Sequence, residues 1–147
     1  MRIILIVFAL VLAGFVGVAV YMRLVSMPAA VWHVDPETAT APAAQNFVLI
    51  NGDEAPVVNL APADAAARLH DVARADGATL IAGTLADGFA TYVVRSRLMG
   101  YPDAISIRLH DEDGQTRISI FSRARFGQSD LGVNQARVDR WLDALTP

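Results

Sequence analysis

The chain contains no cysteine and no lysine, so all twelve of its basic residues are arginine. The absence of cysteine excludes disulfides, thiolate nucleophiles, thiolate metal ligands and lipoprotein-type acylation. An Ala-rich, GC-rich coding bias accounts for the missing lysine, which carries no functional reading. Histidine is scarce as well. His33, His70 and His110 are scattered without H-x-H or H-x-x-x-H spacing, so no metal and no cofactor is expected. Positive charge is in deficit too: past Arg23, ten arginines face fifteen acids, a formal balance of minus five that argues against a nucleic-acid binder. Signatures of catalysis are also missing. In Gly127-Gln128-Ser129-Asp130-Leu131-Gly132 the second glycine is displaced by one from a G-x-S-x-G elbow, so no catalytic residue is assigned. Asp111-Glu112-Asp113-Gly114 starts like a calcium loop but lacks the later ligands, and reads as a hairpin turn.

What is present, first, is a long apolar run. Ile3 to Met22 gives twenty consecutive uncharged residues between Arg2 and Arg23. At about 1.5 Å per residue it covers roughly 30 Å, the hydrocarbon thickness of a bilayer. A cleaved signal peptide is the rival reading. Signal cores run about 7 to 15 residues, however, and Ala29 and Ala30 follow Pro28 instead of forming a clean A-x-A site. Residues 1–25 are therefore read as an uncleaved single-pass anchor. A slight excess of positive charge at the start places the N-terminus in the cytoplasm and the domain in the periplasm or another extracytoplasmic space. Ala9, Ala13 and Gly17 recur every four residues, a stripe suited to pairing two copies of the span in a homo-oligomer.

The remaining chain, about 120 residues, suffices for one domain with a real core. Pro28, Pro36 and Pro42 amid Ala and Thr mark residues 26–45 as a linker, interrupted by Trp32 and His33, and the domain is expected over 46–147. Phe47 to Ile50 reads as a strand, Asn51-Gly52 as a turn and Val57 to Leu60 as its return. Pro62 to Ala75 is a helix opened by proline and stopped by Gly77, with Ala65, Leu69, Val72 and Ala73 on one face. The period then switches to two, with strands at Thr79 to Thr84, Thr91 to Leu98, Ala104 to His110 and Thr116 to Phe126. The connections are short, which implies an antiparallel meander. A second helix runs from Leu131 to Leu145, capped by Ser129 or Asp130. Two amphipathic helices covering one sheet face give an α+β two-layer sandwich behind one N-terminal transmembrane helix.

The stretches TYVVRSRLMGYPD (Thr91 to Asp103) and SRARFGQSDLGVNQARVDRWL (Ser122 to Leu142), with WHVDP from Trp32, resemble an uncharacterised family of bacterial and plastid proteins, domain of unknown function fourteen-ninety-nine. The resemblance covers most of the chain beyond the anchor and implies no activity. It implies that the two blocks are the family's hallmark, carried by residues that include Arg95, Arg97, Asp103, Ser122, Arg123, Arg125, Asn134 and Arg137.

Strand alternation gives these blocks a geometry. Arg123 and Arg125 share a face of the last strand, Arg95 and Arg97 share a face of the second, and in a meander those ends meet at one edge with Ser106 between them. The loop into the second helix arrives at the same edge, and a helix N-terminus beside arginines favours an anion. The candidate anion site is Arg95, Arg97, Arg123, Arg125, Ser129 and Asp130. The competing reading is a structural lattice in which Asp103 and Asp130 pair with these arginines and no ligand binds. The expected function is a membrane-anchored, noncatalytic envelope module for an anionic lipid headgroup, glycan or acidic protein. A hydrolase-type enzyme on an anionic substrate, with His110 or Asp130 as base, and a purely structural membrane-complex subunit are the alternatives.

Overall fold

A computed structural model describes residues 1–146. The apolar run forms α1 (Arg2–Leu24), long and apolar enough to cross a membrane and almost wholly exposed along its length. One helical turn follows, α2 (Ala29–Trp32). Then come β1 (Phe47–Ile50), a 3-10 turn (Gly52–Glu54), β2 (Val57–Val58) and α3 (Pro62–Ala75). The meander consists of β3 (Thr79–Thr84), β4 (Phe89–Arg95), β5 (Pro102–Glu112) and β6 (Gln115–Ala124), and α4 (Val133–Asp143) closes the chain. The sheet is antiparallel in the order β1-β6-β5-β4-β3.

Local chemistry accounts for most boundaries. Pro62 sits in the first turn of α3, where its missing N–H costs nothing, and Asp64 favours the positive end of the helix dipole. Asp113 and Gly114 both have positive φ, 53° and 86°, the two-residue geometry whose twist matches the flanking strands β5 and β6. One expectation fails. β1 and β2 do not form a hairpin around Asn51-Gly52; both pair with β6, β1 along Ile120 to Arg123 and β2 along Thr116 and Arg117. They behave as one interrupted edge strand, with the 3-10 turn absorbing the residues between them.

The α+β sandwich expected from the sequence is present. Even-numbered residues of β4 and β6 and odd-numbered residues of β5 face α3 and α4. The core between these layers is built on Leu69, Tyr92, Ile105, Ile107, Ile120 and Trp141.

The opposite face is not bare. The segment expected as a spacer lies lengthwise across it as a strap. Met27 packs with Val93, Ala104 and Ile81, and Trp32 joins that cluster. His33 stacks on Phe89 with ring centroids 3.9 Å apart and pairs with the Thr91 hydroxyl at 2.8 Å. Asp35 accepts from Arg108, and Glu37 accepts from Ser119 and, at 2.9 Å, from Arg117. The strap thus tracks the sheet from the Arg95 and Arg125 end to the Arg117 end before the chain turns back to enter β1.

Candidate functional site

The register builds the arginine cluster. Arg95 of β4 lies opposite Pro102 of β5, whose carbonyl accepts from the Arg125 backbone N–H at 3.1 Å, so Arg95 and Arg125 flank Pro102 on the strap face. Arg123 lies in the next row, opposite Ala104. Its Nη1 reaches Ser106 Oγ at 3.5 Å, and that hydroxyl also pairs with Thr91 at 2.9 Å. Arg97 is not in the row. β4 ends at Arg95, because Ser96 turns the chain: its N–H donates to the Tyr101 carbonyl at 2.9 Å and its hydroxyl accepts from the Tyr101 N–H at 3.0 Å. Arg97 is consequently exposed in the loop. Three arginines converge on the face, and the fourth stands in solvent beside them.

Their donors meet backbone carbonyls. Arg95 donates to the Met22 and Gly100 carbonyls and, at 2.7 Å, to that of Val25. A helix leaves its last carbonyls without intrahelical partners, so Arg95 serves as a side-chain cap on the C-terminal end of α1. Arg125 donates to the Ser26 carbonyl and approaches Met27 Sδ at 3.7 Å. Arg123 donates to the Trp32 carbonyl at 2.7 Å, its guanidinium set between the Phe121 ring at 4.1 Å and the Trp32 ring at 5.3 Å. Arg23 completes the junction from the helix side, donating to the carbonyls of Arg97 at 2.9 Å and Leu98 at 2.7 Å. Arg23 and Arg95 therefore seat the end of α1 on the domain, and Arg125 and Arg123 hold the strap that follows it.

Carbonyls satisfy hydrogen bonds without neutralising charge. Among the described residues, Arg23, Arg95, Arg97, Arg123 and Arg125 have no carboxylate within 4.0 Å, and every ion pair lies elsewhere. Burial holds the Arg123 guanidinium down to about 10, and burial together with neighbouring Arg125 lowers Arg95. The carboxylates on the strap face, Asp35 and Glu37, with the Asp111 to Asp113 turn beyond them, lie toward the other end of the sheet, roughly 20–30 Å away at about 3.4 Å per strand residue. Glu37 is held at about 2 by the Ser119 hydroxyl, against the upward push of burial and with the help of Arg117.

The two aspartates expected among the arginines do other work. Strand parity turns Asp103 to the helix side, where it pairs with Arg137 of α4 at 2.9 Å; burial pushes its carboxyl up, against the pull of that guanidinium. Asp130 accepts from the backbone N–H of Gly132 at 3.1 Å and of Asn134 at 2.7 Å, capping α4. Burial would raise its pKa, but these hydrogen bonds outweigh it and lower the pKa. Ser129 is exposed and accepts from the Leu131 N–H at 3.3 Å. Asn134, fully buried, links Ser122, Arg137, Asp130 and the Asn46 carbonyl. His110 bonds Glu37 at 3.0 Å at the acidic end, so His110 and Asp130 do not share a site.

A cleft of about 520 Å³ opens beside this junction, lined by Met22 of α1, Tyr101, Pro102, Phe126, Leu131 and Val133, with Asp103, Ser129 and Asp130 among its polar groups. A second cleft, about 620 Å³, lies between α3 and β3, with His70 and Tyr92 hydrogen-bonded at 3.0 Å. Sequence reasoning missed the first cleft and the strap residues Asp35 and Glu37. The signal available for the strap was Trp32, a large aromatic in a stretch otherwise composed like a spacer.

No curated protein and no solved structure matches the chain. A family model does match, over residues 26–145, and its first residue is the one at which the strap begins. The matched region also contains the arginine row and the Asp103, Asn134 and Arg137 network. The chain belongs to the family described as Protein of unknown function (DUF1499).

Proposed function

We propose that the protein is a single-pass membrane protein, anchored by α1 with its domain on the extracytoplasmic side. Its domain is a noncatalytic module that engages anionic phospholipid headgroups in the leaflet from which α1 emerges. The observation that carries this reading is the uncompensated arginine cluster around the end of α1: Asp35 and Glu37 on the same face pair with Arg108 and Arg117 toward the far end, and the nearer Asp103 and Asp130 are bound to Arg137 and to the α4 backbone. A guanidinium has five N–H donors, and those of Arg95 and Arg125 are only partly used by carbonyls. Arg97 is exposed beside them. Phosphate oxygens suit such donors, and a leaflet supplies them at the level where a span ends. Acidic glycans and proteins share that charge, but no feature of the cluster fixes them at this level.

The test is lipid selectivity of the full chain. Reconstituted in bilayers mixing phosphatidylcholine with phosphatidylglycerol and extracted in mild detergent, the protein is expected to retain phosphatidylglycerol above its share of the bilayer. Arg97→Gln with Arg125→Gln should return the retained ratio to that of the bilayer. Wild-type protein carrying lipid at the bulk ratio would sink the reading.

A further inference from the structure

We infer that the cleft beside the end of α1 takes an acyl chain of a phospholipid from the surrounding leaflet, so that the domain holds a lipid by its tail as well as its headgroup. This deepens the headgroup reading and rests on the same placement of α1. The cleft's volume, about 520 Å³, falls within the roughly 300–1,000 Å³ of ligand clefts. Its wall is mostly apolar: the Tyr101 and Phe126 rings meet edge to face at 6.4 Å, and Met22, Leu131 and Val133 extend it. Its two carboxylates are already engaged, Asp103 by Arg137 and Asp130 by the Gly132 and Asn134 N–H groups. One wall residue, Met22, lies in the last turn of α1, so the cleft is continuous with the surface a bilayer would cover.

Charge and exposure agree with that occupant. The Arg125 guanidinium lies 5.3 Å from the centre of the Phe126 ring, a wall residue of the cleft, so a cation able to meet a phosphate stands next to the apolar slot. Around the cleft the chain exposes large apolar side chains: Leu131 at 95%, Leu98 at 73%, Val133 at 50% and Tyr101 at 40%. Leu98 belongs to this end because its carbonyl accepts from Arg23. Leu131 also has φ of 55°, a left-handed conformation costly for a leucine, and it spends this strain on placing an apolar side chain outside the core. Clustered with Leu98, Val133 and Tyr101, it forms an exposed apolar patch of the kind that meets a membrane or a partner.

The experiment uses the full chain in lipid nanodiscs of phosphatidylcholine and phosphatidylglycerol. Each disc preparation contains a trace of one lipid bearing a photoreactive diazirine near the end of an acyl chain, and adducts are mapped by mass spectrometry. Adducts on Tyr101, Phe126 and Leu131 to Val133, in addition to those on α1, are the expected result. Val133→Glu, which adds an acid where the first turn of α4 tolerates one, should remove the cleft adducts and leave those on α1 as an internal standard. Adducts confined to α1 in the wild type would overturn the inference, and so would cleft adducts unchanged by Val133→Glu. Phosphatidylglycerol retention without cleft adducts overturns the inference and sustains the headgroup reading. Cleft adducts formed equally by both lipids sustain the inference and overturn the headgroup reading.

Discussion

Removing the Asp103 carboxylate should be among the most damaging single changes to this domain. Its partner Arg137 is only 5% exposed, and the pair closes at 2.9 Å between β5 and α4. Breaking a buried pair strands the surviving charge, at a cost of about 3–5 kcal/mol. Arg137 keeps a hydrogen bond to Asn134 Oδ1 at 3.0 Å, and Asp76 lies 3.6 Å from its Nε, so Asp103→Ala belongs at the lower end, about 3 kcal/mol. For a domain of this size that lowers Tm by roughly 10–15 °C. The assay is thermal unfolding of the full chain in detergent micelles, followed by the fluorescence of core residue Trp141 in a Trp32→Phe background. The decisive variant is Asp103→Leu with Arg137→Met, which removes both charges and leaves Asn134 bonded to Ser122. It should melt above Asp103→Leu alone, with a coupling of about 1–3 kcal/mol. A Tm loss below about 2 °C for Asp103→Ala, or a double variant whose cost equals the sum of its singles, would refute the reasoning.

Acid should loosen the strap. Asp35 is lowered because the Arg108 hydrogen bond and its companions outweigh burial, and Glu37 is lowered to about 2. Groups depressed in the folded state stabilise it fully above their unfolded pKa and lose that effect as pH falls, here from about 4.5 towards about 2. Trp32 fluorescence in a Trp141→Phe background should change across that window, and Glu37→Gln should flatten the change; an unaltered profile would contradict the assignment. Trp32→Ala should lower stability by about 2 kcal/mol in a denaturant titration, because it uncovers one side of the buried Arg123 guanidinium. Gly100→Ala should unseat the end of α1, since a Cβ there would lie 2.4 Å from Arg23 Cγ at a φ of 78°; faster proteolysis after Arg23 is the readout, and wild-type resistance would count against the junction.

The meander, α3 and α4 were legible because each carries its own signal: period two for the strands, proline and glycine at the ends of α3, and a tight turn at Asp113-Gly114. The strap was not. Its first part is held through the backbone carbonyls at Ser26 and Trp32, and a carbonyl has no signature in the sequence because every residue has one. Its later part is held by His33, Asp35 and Glu37, whose partners Thr91, Arg108, Ser119 and Arg117 are far away in the chain. The arginines were found, but their partners were sought among carboxylates. Arg97 was misplaced because a local Ser96 to Tyr101 closure ended the strand two residues before it. Asp103 could have been placed by the period already in hand, since its odd position on β5 puts it on the face opposite Arg108 and Ser106. The β1 and β2 error has the opposite character: Asn51-Gly52 is a strong local turn signal, overridden by the long unpaired edge that β6 offers both segments.

Because the strap leaves α1 and runs lengthwise down the sheet, it also defines how force would travel through the molecule. A pull on α1 away from the domain does not load the strap's contacts together. It reaches the Arg95 and Arg125 bonds first, then Met27 and the Arg123 clamp on Trp32, then His33 on Thr91, and last Asp35 and Glu37. The strap would peel in steps, each exposing one further row of the sheet while the helix-covered core stays intact. Mechanically the protein is a tape fixed to a rigid plate, and tension along α1 sets how much of the plate is uncovered.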